Sequence, residues 1–335
     1  MELNTISLND FVKLANVIFV KELMGVDNSA RNSGIFKIQP IPANSGNIRE
    51  FSEIDLEQYA KDKAQGDQAS RAKTQQGYSK FMNSYRVASD IGITYEMRTQ
   101  NKYQEVVSRL TNLARLATNR IELDLTHRLT FGTSTSYTNA SGATIDTTVG
   151  DGYQLFYSAH TVKGVSTTYR NQLSGNPRLS RGSLEAMERL CVEETINQFG
   201  EKVAIPFDII FTTDDPNTIN TLMEYLKSIG SPDAINSGVM NVYKGKYRHV
   251  ILPRLATTAS GAVDSTKRYM WGLASSQYST AYLGVWEEPH LKVPTDLNAG
   301  EEFSTDNWNF GVRAGVGITV VNAQWIKVSL GDGTA

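Results

Sequence analysis

The sequence predicts an α+β fold organised around one long helix, and three features predict it. Residues 101–129 carry an apolar stripe at helical spacing, unbroken by Gly or Pro. Residues 308–320 alternate at the period of a strand. Trp308, Phe310, Val312, Ala314, Val316, Ile318 and Val320 share one face, and Gly311, Gly315 and Gly317 lie opposite. Ahead of the helix, two extended segments, residues 48–56 and 77–87, bracket a polar stretch, the pattern of a long projecting hairpin.

In chain order, residues 8–24 form a short amphipathic helix with Phe11, Leu14, Ala15, Ile18 and Phe19 on one face. Such an arm needs another surface, on its own subunit or a neighbour, to cover that face. Residues 28–34 (NSARNSG) are turn chemistry, and Pro40 and Pro42 keep the next segment extended. Residues 58–76 (QYAKDKAQGDQASRAKTQQ) contain no Val, Ile, Leu, Met, Phe or Trp. They bury too little to offset their own ordering entropy. Alone they are a mobile loop; beside a partner they are an arm that orders on contact.

Ile91, Ile93, Tyr95 and Met97 alternate with polar residues and read as a strand leading into the long helix. Asn101 is the expected N-cap and Leu129 the end, a length of roughly 40 Å at about 1.5 Å per residue. Tyr103, Val107, Leu110, Ala114, Ala117, Ile121 and Leu125 form the stripe, widened by Val106, Leu113 and Leu116. Glu105–Arg109 and Arg120–Asp124 are i,i+4 pairs on the wet side. The Thr, Ser and Gly of residues 132–152 suit short strands and turns. Residues 180–200 read as a second helix, N-capped by Ser180 or Ser183 and closed by Gly200. Residues 207–211 are an apolar strand. Asp215-Pro216 opens a third helix, with Ile219, Leu222, Met223, Leu226 and Ile229 inward and Gly230 ending it. Residues 241–253, 269–282 and 325–330 complete the strands.

Composition excludes several classes of function. The 335 residues hold 33 Lys plus Arg against 35 Asp plus Glu, a net charge of -2, which is too balanced for a dedicated nucleic-acid binder. A single Cys allows neither an intrachain disulfide nor a thiolate metal site. No apolar run is long enough to span a membrane, and the first residues lack a signal-peptide pattern.

No catalytic, cofactor-binding or metal-binding residue is predicted. His127, His160, His249 and His290 have no second ligand at a metal-site spacing. Cys191 falls on the apolar face of its helix, where a thiol is a small buried hydrophobe. No G-x-S-x-G elbow exists. The glycines of residues 311–317 precede no helix, so they do not form a phosphate loop. Helix capping accounts for Asp214-Asp215, and solvated turns account for Glu287-Glu288 and Glu301-Glu302.

Taken together, the elements resemble the major capsid protein of tailed bacteriophages, the Hong Kong 97 type of fold. Local patterns share the resemblance: residues 152–156 (GYQLF) followed by His160, residues 176–180 (NPRLS) leading to Leu184, residues 245–253 (GKYRHVILP), and residues 303–306 (FSTD) ahead of the alternating strand. The resemblance implies an N-terminal arm at 1–45 and a projecting extended loop at 46–90. A peripheral domain with a spine helix would take 91–154 and 286–315, and an axial domain 155–285 and 316–335. It implies hexamers and pentamers of one non-enzymatic subunit in an icosahedral shell enclosing double-stranded DNA, in the virion, assembled in the host cytoplasm. A portal is an implied partner. The short arm and initial Met favour a separate scaffolding protein over a cleaved leader. Some members of this family cross-link a loop Lys to a distant Asn. Lys61, Lys63, Lys73 and Lys80 lie in or near the loop, but no acid partner is identifiable and that activity is not carried over. An encapsulin-like compartment shares the fold and is the related alternative. A soluble enzyme using His160, Asp208 and Glu287 is the alternative from another class.

Overall fold

The computed structural model describes residues 7–42, 44–230, 240–294 and 304–333. Its first helix, α1 (Leu8–Gly25), is capped by Ser7, whose Oγ accepts the Asp10 N–H at 3.2 Å. Phe11, Ala15 and Phe19 recur at i, i+4 and i+8 and are buried. The arm covers its apolar face on its own subunit, against the long helix, and the Phe11 ring meets Trp308 and Phe310 at 5.0 and 5.5 Å.

Strands β1 (Lys37–Pro40), β2 (Ile48–Leu56), β3 (Thr74–Asn83) and β4 (Tyr85–Ile93) follow. The expected alternation through Met97 stops at Ile93. There the Thr94 Oγ1 accepts the Met97 N–H and starts a five-residue helix, α2 (Tyr95–Thr99). A local cap thus overrides the strand pattern. Asn101 does not cap the long helix either. It takes φ 54°, in the left-handed region that Asn tolerates, and α3 (Tyr103–Thr130) begins after Lys102 without a side-chain cap. Its 28 residues span about 42 Å. Val106, Leu110, Leu113, Ala114, Ala117, Ile121 and Leu125 are buried, whereas Leu116 turns outward. The Glu105–Arg109 pair is exposed as expected. Asp124 is buried, however, and binds both Arg120 (3.0 Å) and the Tyr85 hydroxyl (2.8 Å).

Beyond α3 come the short pairs β5 (Ser136–Thr138) with β6 (Thr144–Asp146), and β7 (His160–Val162) with β8 (Val165–Tyr169). Helix α4 (Arg181–Glu193) is capped by Ser180 in a reciprocal box with Ser183. It ends at Glu193, not at Gly200, whose φ of 80° serves a turn after Asn197. After β9 (Ile209–Thr212), α5 (Pro216–Lys227) starts on Asp215, whose Oδ2 accepts the Thr218 N–H at 3.1 Å. It stops before Gly230 and leaves Ile229 exposed. Strands β10 (Arg248–Ile251), β11 (Trp271–Ala274), β12 (Ala281–Lys292), β13 (Trp308–Val320) and β14 (Ile326–Ser329) complete the chain. Glu287-Glu288 lies inside β12 rather than at a turn, where ion pairs to Arg313 (2.7 Å) and Arg31 (2.6 Å) hold it. Glu301-Glu302 and Phe303 fall outside the described residues.

Two four-stranded sheets organise the chain. One has the order β1-β12-β13-β4, with β1 parallel to β12 and the other pairings antiparallel. The seven alternating apolar residues of β13 are all buried on the face that α1 and α3 cover. The second sheet has the order β10-β9-β11-β14. Both of its faces are covered. Ile210, Trp271 and Leu273 pack with α4 and α5, while Ile209, Phe211 and Val328 join the core under α3. Strands β12 and β13 both continue past residues 285 and 315 within the first sheet, with register shifts between Val285 and Glu287 and between Glu287 and His290.

Candidate functional site

The hairpin β2–β3 is a two-stranded ladder, from Ile48 opposite Asn83 to Leu56 opposite Thr74, with a bulge between Ser52 and Ile54. Residues 58–73 form its tip, and nearly all are exposed. The paired strands do not stand clear of the subunit. They lie along it, and one glycine pair shows why they fit. Gly284 and Gly317 face each other across β12 and β13. A Cβ on Gly284 would meet the Met82 Cε at 2.3 Å, and one on Gly317 the Asn83 carbonyl at 2.8 Å. The missing side chains leave a trough for fully buried Met82. Phe51 stacks on Tyr282 beside it, with ring centroids 4.4 Å apart.

Further along, the inward side of the hairpin is polar. Glu53 accepts a hydrogen bond from the Asn322 side-chain amide, and Asp55 accepts one from the Gln198 N–H at 3.2 Å. Gln58 N–H donates to Glu201 at 2.9 Å, Tyr78 bonds Thr161 at 3.0 Å, and Lys80 pairs with Asp146 at 2.6 Å. The outward side mixes polar residues such as Glu50, Ser52 and Gln76 with four large apolar ones. Ile48, Ile54, Leu56 and Phe81 are 62%, 66%, 56% and 59% exposed, and Tyr59 at the start of the tip is 65% exposed. At this end of the hairpin the usual arrangement is reversed, since Ile54 and Leu56 point to solvent while Glu53 and Asp55 point to the body. A patch of that kind marks an interaction surface.

The groups that an enzyme would need are dispersed and engaged elsewhere. His160 is fully buried, with Nδ1 2.8 Å from Asp151 and Nε2 3.2 Å from the Leu155 carbonyl. Asp208 accepts from the Ser276 N–H and hydroxyl at 2.7 Å each, and Glu287 is bound by Arg313. The fold does not bring these three together. His127 bonds Thr257 at 3.0 Å, His249 bonds Thr212 at 2.8 Å, and His290 lies 3.5 Å from Glu287. Burial pushes the Cys191 thiol up to about 12, far from a reactive thiolate. Among the described residues, no three His, Cys, Asp or Glu side chains gather as a metal site, and no helix is long and apolar enough to cross a membrane. Lys80 is held by Asp146 and Lys61 lies 3.7 Å from Glu57.

Sequence reading located the hairpin but missed its two-sidedness. The available signal was the alternation of Phe51, Glu53 and Asp55 with Ser52, Ile54 and Leu56. Which side faces the body depends on Gln198 and Asn322, distant in sequence.

The likeness to known proteins agrees with a structural role. The capsid structure of the cyanophage P-SCSP1u superposes with a TM-score of 0.50 at 12% identity, over 90% of this chain and 86% of that one. At that identity the likeness is one of fold. A virus-like particle from Pyrococcus furiosus (TM-score 0.46, 12% identity, 94% and 97% of the two chains) is similar, as is the procapsid of bacteriophage JBD30 (0.43, 10%, 97% and 76%). No curated protein matches the chain. The model of the family described as phage capsid protein matches residues 83–328, well over half of the chain. With a mixed helix and sheet fold resembling phage capsids and a family match over most of its length, the chain belongs to the phage capsid protein family and is a capsid shell protein.

Proposed function

We propose that this subunit has the Hong Kong 97-type organisation and tiles with copies of itself, as hexamers and pentamers, into an icosahedral shell around double-stranded DNA. The carrying observation is the set of large apolar side chains that the hairpin exposes. Covering an exposed Ile, Leu or Phe side chain contributes about 1.5–3 kcal/mol. A neighbour seated over Ile48, Ile54, Leu56 and Phe81 therefore gains several kcal/mol per contact. Repeated around a closed shell, contacts of that size make release of one subunit rare.

In this reading residues 1–45 are the arm and 46–90 the extended loop, which overlies an adjacent subunit. Residues 91–154 and 286–315 form the peripheral domain around the spine helix α3. Residues 155–285 and 316–335 form the axial domain, with β12 and β13 joining the two. The net charge of -2 suits a wall that encloses DNA without reading it. A portal and a separate scaffolding protein complete the assembly in the host cytoplasm, and the finished subunit resides in the virion. The subunit performs no chemistry.

Electron microscopy of the purified protein at rising concentration tests this reading. Shells or capsomer-sized oligomers are expected. A compact monomer that persists at high concentration would overturn it.

A further inference from the structure

The root of the hairpin holds two carboxylates in an unusual setting. Glu53 and Asp55 sit on the inward side of β2, where they line a cavity of about 10 Å³ between hairpin and body. That is room for about one water molecule. Among the described residues, neither carboxylate meets a cation there. Glu53 has the Asn322 amide and Asp55 the Gln198 N–H. Lys163 also lines the cavity, but its Nζ donates to the Gly77 carbonyl at 3.3 Å. Gln198 is 2% exposed, and neither its Oε1 nor its Nε2 has a hydrogen-bond partner among the described residues. Gly77 makes this crowding possible. A Cβ there would lie 2.0 Å from the Gln198 Nε2 and 2.9 Å from the Glu53 Oε2.

We propose that Glu53 is a proton-operated latch for the hairpin: neutral, it seats the root of β2–β3 on the body, and ionised, it loosens that root. The groups facing it come from every element of the seam. They are Asp55 on β2, Tyr78 on β3, Asp151 with its partner His160, Lys163, Tyr169 on β8, Tyr282 on β12, and the amides of Gln198 and Asn322. Burial and then the repulsion of Asp55 push the Glu53 carboxyl up to about 7, against the lowering contact from Asn322. A metal ion is the other way to neutralise such a pair. The described residues gather no three carboxylate, imidazole or thiolate ligands here, and a cavity of one water's size does not admit a hydrated divalent ion. A proton fits.

The direction follows from the raised value. A lifted root exposes Glu53 to water, where it titrates near its ordinary 4.5. The seat is therefore strongest below that pH and weakens as pH rises towards about 7. Above that it is weaker by up to roughly a few hundredfold. The hold concerns the hairpin and its own subunit. Only its consequence for engaging a neighbour rests on the proposed function.

Hydrogen exchange of unassembled subunits, expressed as protection factors at about pH 5 and about pH 8, tests the latch. The amides of Gln198 and Gln58, which bridge hairpin and body, should lose tens-fold protection at the higher pH. The ladder amides between β2 and β3 should keep theirs. Glu53→Gln should flatten the response, and Asp55→Asn should move its midpoint down by relieving the repulsion. Equal protection of the bridging amides at both pH values would overturn the proposal, and so would an unchanged response in Glu53→Gln, which would place the response on another group of the seam. Calcium chloride at pH 8 that restores protection in the wild type alone would also overturn it, in favour of a cation. Failure of subunits to assemble would bear on the shell reading and leave these protection factors interpretable.

Discussion

His127 illustrates how a residue placed by its helix acquires properties that only the fold sets. Its position in the last turn of α3 follows from periodicity. Its burial follows from Phe131 and Tyr137, whose rings stand edge-on at 5.2 and 5.6 Å, and from its 3.0 Å bond to Thr257. Burial first, then the charges of Lys267 and Arg120, lower the imidazole from its ordinary 6.5 to about 4. The folded state thus refuses a proton that the unfolded chain accepts. The stability from neutral His127 is full above pH 6.5 and is lost as pH falls towards 4, up to about 3 kcal/mol. Glu53 and Glu122, both raised chiefly by burial, act in the opposite sense, so the difference between wild type and variant isolates the histidine. In His127→Gln, urea unfolding of dissociated subunits should lose less stability between about pH 7 and about pH 4.5 than in the wild type. Identical losses would mean that another group titrates.

At the scale of elements, the hairpin divides into parts with different work. The ladder is tied to the body from Met82 to Gln58, whereas residues 58–73 are nearly all exposed and contribute little to the core. Replacing residues 57–73 with a two-residue Asn-Gly turn, which joins the paired Leu56 and Thr74 of the antiparallel ladder, should leave the melting temperature within a few degrees. Shell yield by sedimentation should fall sharply. Intact shells at normal yield would show that the tip has no part in assembly. The stripe of α3, the alternation of β13 and the Asp215-Pro216 start of α5 were all legible in the sequence, because each is a local pattern with one burial solution. The breaks were not. Thr94 ends the strand pattern after Ile93 and opens a helical turn, and α4 stops at Glu193 because the next residues serve a turn around Gly200. Such choices are settled by competing local hydrogen bonds that periodicity does not register. The seam under the hairpin was still less legible, since Glu53, Gln198 and Asn322 meet only through the tertiary fold.

For the whole molecule, the informative surface is the one that one subunit leaves incomplete. The sheet of β1, β12, β13 and β4 buries its apolar face under α1 and α3, and the second sheet is covered on both faces. The outward face of the hairpin has no such cover, and Ile54 and Leu56 on it are 66% and 56% exposed. Side chains already in water contribute little to the fold of a lone subunit, so changing them should cost within about 0.5 kcal/mol each. A shell contact would suffer far more, because an unpaired carboxylate buried against a neighbour costs several kcal/mol. The double variant Ile54→Asp, Leu56→Asp should therefore match the wild type in circular dichroism and melting temperature as a dissociated subunit. It should form no shells at concentrations where the wild type assembles fully. Assembly of the variant at wild-type concentrations would place the subunit contacts elsewhere, and loss of fold in the lone variant would mean that this face already has a partner within the chain.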